Sequence, residues 1–259
     1  MTGTEETPLT GGNAAVGVVR VGDTVRKPWL PTTPRVHALL SALRDAGLDV
    51  PEPRGRDERG RQVLEHVPGP VALGGPPLLT AAELRRVGAL VRRLHDAAAA
   101  LDPEADLDPW PVLLPPPDDD DGARLPCHHD LAPWNLVVGR RWVFIDWDGA
   151  GPSTRSWDLA YAAQTFALDD PDLAPGVSAE RLAALVDGYD PGPTLRAALT
   201  TALVRRPAAM RDHLAAAAAS GWEPWARMHR EGHGEHWARV SAYVEENAAV
   251  WRRVLLRSA

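Results

Sequence analysis

The 259-residue chain has a single cysteine, Cys127, so no intrachain disulfide can staple it. That scarcity agrees with a reducing compartment, and a cytoplasmic location is the expectation. No segment approaches the ~20 consecutive apolar residues that would span a bilayer, so a membrane partner is not expected. The first residues, Met-Thr-Gly-Thr-Glu-Glu-Thr-Pro, lack the basic region and apolar run of a secretory signal. Basic residues are outnumbered: 28 Lys and Arg stand against 35 Asp and Glu, a formal net charge of −7. With no basic face in view, a nucleic-acid partner bound through phosphate neutralisation is not expected either. A cationic small substrate suits this balance better. The chain is also poor in Lys, Ile and Phe and rich in Ala, Arg, Pro and Gly, a coding bias that carries no mechanism.

What is there reads as a globular protein, 44% hydrophobic and 24% charged, long enough for one large domain or two lobes. Residues 1–10 read as a loose tail, and Gly11-Gly12-Asn13 as a turn. Val16 to Val21 and Thr24 to Lys27, joined at Gly22-Asp23, predict a β-hairpin. Pro34 to Ala46 predicts a helix, with Val36, Leu39, Leu40 and Leu43 as its apolar stripe and Gly47 past its end. Residues 48–60 read as a polar connection and Gln62 to Val67 as a short strand. Thr80 with Glu83 forms a capping-box pattern at the head of a helix running to about Ala100. Further helical patterns cover roughly 156–168, 178–188, 193–219, with a potential break at Pro207, and 235–256. The expected architecture is α+β, in two lobes: a small β-rich lobe over 1–68 and a larger helical lobe over 69–259.

The chemistry concentrates in residues 128–148. His128-His129-Asp130 opens a Pro-containing loop, Asn135 follows five residues after Asp130, and the apolar strand Trp142 to Ile145 delivers Asp146. Phosphoryl transfer needs positioning, charge neutralisation by magnesium, and a carboxylate near the attacking hydroxyl. Asp130 suits the last role, while Asn135 and Asp146 offer the hard oxygen ligands that magnesium prefers.

This stretch resembles the catalytic and metal-binding loops of the aminoglycoside phosphotransferase family, which shares the protein-kinase-like fold. The family pattern is His-Gly-Asp, four variable residues, Asn, then an apolar strand and Asp-Trp/Phe-Glu/Asp. Here it stands as His128-His129-Asp130, Asn135 and Ile145-Asp146-Trp147-Asp148, and it continues through Trp157-Asp158-Leu159-Ala160. His129 stands where the family usually has Gly. The resemblance is specific from about residue 125 to 162. It implies Asp130 as catalytic base, Asn135 and Asp146 as magnesium ligands, His128 as a packing residue under the metal loop, and Asp158 as a cap on the catalytic-loop backbone. It places Lys27 at the nucleotide phosphates, with Arg26 as the competitor one register position away. It implies that Glu65, His66 and Val67 form the hinge that binds the adenine edge. Asp148 is open between a residue that supports the metal ligands, a ligand to a second metal, and an exposed turn acid. The implied cofactors are ATP, or GTP, with Mg2+.

One departure stands out. Kinase-like folds pair the strand Lys with a Glu on the following helix, yet residues 35–44 contain no acid. The expected activity is an ATP- and Mg-dependent O-phosphotransferase acting on a small-molecule hydroxyl, with an aminoglycoside-like antibiotic as leading substrate. The rival is a non-catalytic nucleotide- or ligand-binding protein that confers immunity by sequestration. The His229, His233 and His236 run with Glu231 and Glu235 also suggests zinc, but Gly232 and Gly234 interrupt the helix that would align it.

Overall fold

A computed structural model describes residues 5–9, 17–73, 78–101 and 110–257, so the turn expected at Gly11-Gly12-Asn13 lies outside the described residues. The N-terminal part is a five-stranded antiparallel sheet of β1 (Glu6–Pro8), β2 (Val19–Val21), β3 (Thr24–Lys27), β4 (Pro53–Arg56) and β5 (Gln62–Glu65), ordered β1-β2-β3-β5-β4. The hairpin forms where the β-branched runs predict it, turning at Gly22 with φ 61°. β1 and β4 replace the expected tail and polar connection. Both are short edge strands whose polar composition hides them from an apolar-alternation reading. The hinge strand stops at Glu65, two residues earlier than its apolar run suggests, because Val67 turns inward onto Val137, Val143 and Ile145.

The helix α1 (Thr33–Asp45) crosses this sheet with Val36, Leu39, Leu40 and Leu43 buried, as its stripe requires. α2 (Ala81–Ala99) begins at Thr80 with both halves of the capping box made. β6 (Arg124–Cys127) pairs with β9 (Gly151–Thr154), and β7 (Leu136–Val138) with β8 (Trp142–Phe144), so two small ribbons carry the central motif. The helices α3 (Arg155–Ala163), α4 (Pro175–Tyr189), α5 (Pro193–Ser220), α6 (Trp225–Met228), α7 (Gly234–Glu246) and α8 (Ala248–Leu255) complete the chain. α5 runs unbroken through Pro207, which is buried within it. The expected helix over 235–256 is instead two helices, broken at Asn247. No helix among the described residues is long and apolar enough to cross a membrane.

α2 and α4 meet at two glycines. A Cβ on Gly88 would lie 2.0 Å from the Leu185 carbonyl oxygen, and one on Gly188 would lie 2.0 Å from that of Arg85. Only hydrogen at these positions lets the backbones approach so closely. Their closeness carries His95 of α2 to the Tyr189 hydroxyl at the end of α4, 2.9 Å away. Gly188→Ala should therefore cost at least about 2 kcal/mol, the order of an overpacked core. A thermal melt checks this, with a drop of several degrees expected.

Candidate functional site

The site is built on the loop between β6 and β7. His128, neutral because burial lowers its pKa, donates from Nε2 to the Ile145 carbonyl (3.0 Å), and its Nδ1 accepts from the Asp130 backbone N–H (3.2 Å). Its ring also packs on Trp147, with centroids 4.5 Å apart. One imidazole thus ties the Asp130 loop to the strand that presents Asp146. Asn135, at the end of the 3-10 turn Pro133–Asn135, donates from Nδ2 to both the carbonyl and Oδ2 of Asp130 (3.0 and 2.7 Å). Its own carbonyl accepts from the Ile145 N–H (2.8 Å), which fixes Asn135 beside Asp146.

Asp158, the acid in the first turn of α3, accepts the His129 N–H at Oδ1 (2.8 Å) and faces His95 Nε2 at Oδ2 (3.0 Å). Its burial works against the charge, but the His95 contact outweighs that and holds the carboxyl at about 2. The helix N-cap itself is Thr154, so Asp158 serves the loop rather than its own helix. His129 sits at φ 66° and Asp146 at φ 61°, two of the three non-glycine residues with left-handed backbone among those described. A glycine would adopt this conformation without strain. His129 holds it with its N–H on Asp158, its Nε2 on the Gly151 carbonyl (3.2 Å), and its carbonyl facing Arg206 Nη2 at 3.4 Å.

From the sheet comes Lys27, 5% exposed. Its Nζ lies 2.5 Å from Asp146 Oδ1 and 2.8 Å from Asp148 Oδ2. Burial alone would depress the ammonium, but the two carboxylates more than offset it and the pKa is raised. Asp146 shows the mirror image: burial pushes it up, and Lys27 brings it below the usual carboxylate range. Arg26 points the other way, donating to Thr24 Oγ1 (2.6 Å) and lying 3.6 Å from Asp57, so the strand register turns Lys27 and not Arg26 toward Asp146 and Asp148.

Three further residues join the site. The Tyr161 hydroxyl, one helical turn after Asp158, donates to Asp130 Oδ1 (2.8 Å). Burial and the adjacent Asp130 charge raise its pKa well above the ordinary value, so it stays a donor. The i, i+3 spacing from Asp158 is the signal that could have found it. Asp148 contacts Lys27, which removes the exposed-turn reading. Gln62, fully buried, donates from Nε2 to Asp148 Oδ1 (3.0 Å), a contact no local pattern announces.

The hinge divides. The Glu65 and His66 N–H groups already donate to the Glu52 and Asp23 carbonyls (2.8 Å each), and the Glu65 carboxylate pairs with Arg141. The Val67 N–H has no partner among the described residues. The histidine run near residue 230 does not assemble a metal site. His236 pairs with Asp169 (3.1 Å), and the metal-type group among the described residues is His95, Cys127 and Asp158, closed by its own hydrogen bonds. Cys127 is inert, its thiol pushed well up by burial.

For a divalent ion the fit is favourable. Both Asn135 Nδ2 hydrogens are spent on Asp130, leaving Oδ1 without a hydrogen bond among the described residues, and Asp146 adds a carboxylate. An amide oxygen and a carboxylate are the hard donors magnesium takes.

Residues 107–199 match the model of the phosphotransferase enzyme family. No curated protein matches the sequence. Among solved structures, a choline/ethanolamine kinase family protein from Mesorhizobium loti is similar at 17% identity and TM-score 0.62, covering 97% of this chain and 94% of that one. A Plasmodium vivax ethanolamine kinase is similar at 11% identity and TM-score 0.66, covering 92% and 82%. An amicoumacin kinase, in complex with AMP-PNP, Ca2+ and its ligand, is similar at 14% identity and TM-score 0.63, covering 94% and 88%.

Asp158 makes a testable contribution to stability. Its folded pKa of about 2 lies below the unfolded value near 3.8, so the carboxylate stabilises the fold above pH ~4. That contribution, about 2 kcal/mol, should be lost as pH falls from ~4 to ~2. Urea midpoints of wild type and Asp158→Asn should differ at pH 7 and converge across that window. By fold the chain is protein-kinase-like, and over residues 107–199 it is similar to the phosphotransferase enzyme family.

Proposed function

We propose that the protein is an ATP- and Mg-dependent O-phosphotransferase acting on a hydroxyl of a small molecule. The observation that carries this reading is the convergence of Asp130, Asn135 and Asp146 on one side with a buried Lys27 on the other. Asp130 is the base. Asn135 and Tyr161 each donate to one of its oxygens, which fixes the carboxylate plane toward an incoming alcohol. Asn135 Oδ1 and Asp146 hold magnesium, which when bound neutralises charge on the transferred phosphoryl group. Lys27 takes the α/β-phosphates, and the Val67 N–H, with the carbonyl of Glu65, takes the adenine edge. GTP is the alternative nucleotide.

Tyr161, which donates to Asp130, packs in one cluster with Trp134, Trp225 and Trp237, its ring stacked on Trp237 at 6.1 Å, and the acceptor is assigned to this side of Asp130. Aromatic walls beside a carboxylate suit an amine-bearing alcohol. An aminoglycoside-like antibiotic is the leading substrate, and amino alcohols such as ethanolamine share its chemistry. A cytoplasmic site of action fits the lone buried thiol. The missing helix acid motivated the sequestering, non-catalytic rival, and that motive weakens because Lys27 finds two acids elsewhere.

A panel of amino alcohols and antibiotics assayed for stimulated ADP release tests the reading. Asp130→Asn should lower kcat on an active acceptor by roughly 10²–10⁴-fold, the usual contribution of a general base. Asp146→Ala should abolish turnover. Unchanged turnover in both variants, with circular dichroism unaltered, would sink the proposal.

A further inference from the structure

We propose that Asp148, steadied by Gln62, is the residue that positions Lys27, in place of an acid on α1. This rests on Lys27 serving the nucleotide. Lys27 is the only lysine in the chain, every other one of its 28 basic residues being arginine. A buried ammonium needs anionic partners, and residues 35–44 of α1 offer none. Both partners come instead from the far lobe, two residues apart in the turn that follows β8.

The two acids are not equivalent. Asp146 is 39% exposed at its side chain and is the carboxylate offered to the metal, whereas Asp148 is 22% exposed. The oxygens of Asp148 are divided between two donors, Oδ2 to Lys27 and Oδ1 to Gln62. Gln62 stands opposite Lys27 in the β3–β5 register. Its Nε2 spans the Pro28 carbonyl (3.0 Å) and Asp148, both pure acceptors, so the amide can present only its donor side to them. Among the described residues its Oε1 meets no donor at hydrogen-bond geometry, so the two bonds from Nε2 set the position of the amide. Asp148 is thereby spent on protein donors, and it remains on Lys27 whenever Asp146 is engaged at the metal. A lysine suits the pocket because its compact charge can sit between two carboxylates, whereas a guanidinium demands a planar fork.

The test is calorimetric binding of AMP-PNP across a magnesium titration, with wild type, Asp148→Asn, Lys27→Met and the double variant, alongside thermal melts. Asp148→Asn should bind AMP-PNP at least tenfold more weakly, with the magnesium concentration for half-maximal binding unchanged. The double variant should bind no worse than Lys27→Met, because both changes remove one function. Wild-type affinity in Asp148→Asn would overturn the inference. So would a raised magnesium requirement, which would make Asp148 a metal ligand. If Asp148→Asn is too unstable to assay, the double variant, which also removes the stranded ammonium, should melt higher than Asp148→Asn. Additive losses in Tm would overturn the pairing. Failure of wild type to bind AMP-PNP would strike the phosphotransferase reading, while the Tm comparison would still decide on the pair.

Discussion

The carboxylate of Asp158 is the contact on which the loop that presents Asp130 depends. It sits in the core with one oxygen on the His129 N–H and the other on His95. A buried carboxylate must find such donors, and one that does becomes a rigid anchor. Through His129 it holds a left-handed backbone immediately before Asp130, and through His95 it ties that loop to α2 and, via Tyr189, to α4. The two close-packed glycines between α2 and α4 are upstream of this chain of contacts. Side-chain volume admitted there would push His95 away from the anchor and reach Asp130 without touching it.

Two strained residues flank the site. His129 and Asp146 both have positive φ, His129 immediately before Asp130 and Asp146 at the head of the turn that carries Asp148. Their strain is over-determined by hydrogen bonds on every side: Asp158, Gly151 and Arg206 around His129, His128 on the Ile145 carbonyl just before Asp146. The histidine at 129 is thus tolerated by its ring contact rather than by freedom of its backbone.

The legibility of the site follows sequence separation. Asp130, Asn135 and Asp146 were readable because one loop and one ribbon place them, and the spacing of a 3-10 turn and a two-strand hairpin is a local property. The contact of Asp158 with the His129 N–H, 29 residues away along the chain, was expected only by resemblance. Lys27 was legible only by resemblance, and its partners not at all: Asp146 and Asp148 lie about 120 residues away along the chain, and the polar Gln62 is drawn from a strand read as plain sheet. The edge strands β1 and β4 were missed because they carry no apolar alternation, and α5 was left open at Pro207 because propensity alone cannot weigh the packing that keeps it whole.

The lone lysine is itself informative. In a chain whose coding bias turns basic positions into arginine, a lone lysine marks a place where arginine does not serve. At an exposed surface the two residues exchange at little cost, so bias runs unopposed. In a buried pocket between two carboxylates, size, planarity and donor geometry separate them. The same reasoning explains why the acids moved. Once Asp148, steadied by Gln62 of β5, holds the ammonium from the turn after β8, α1 is free to bury Val36 against the core instead of presenting a carboxylate. The ion pair then does a second task that a helix-borne acid beside the sheet would not do, because it bonds the sheet directly to the turn that carries Asp146.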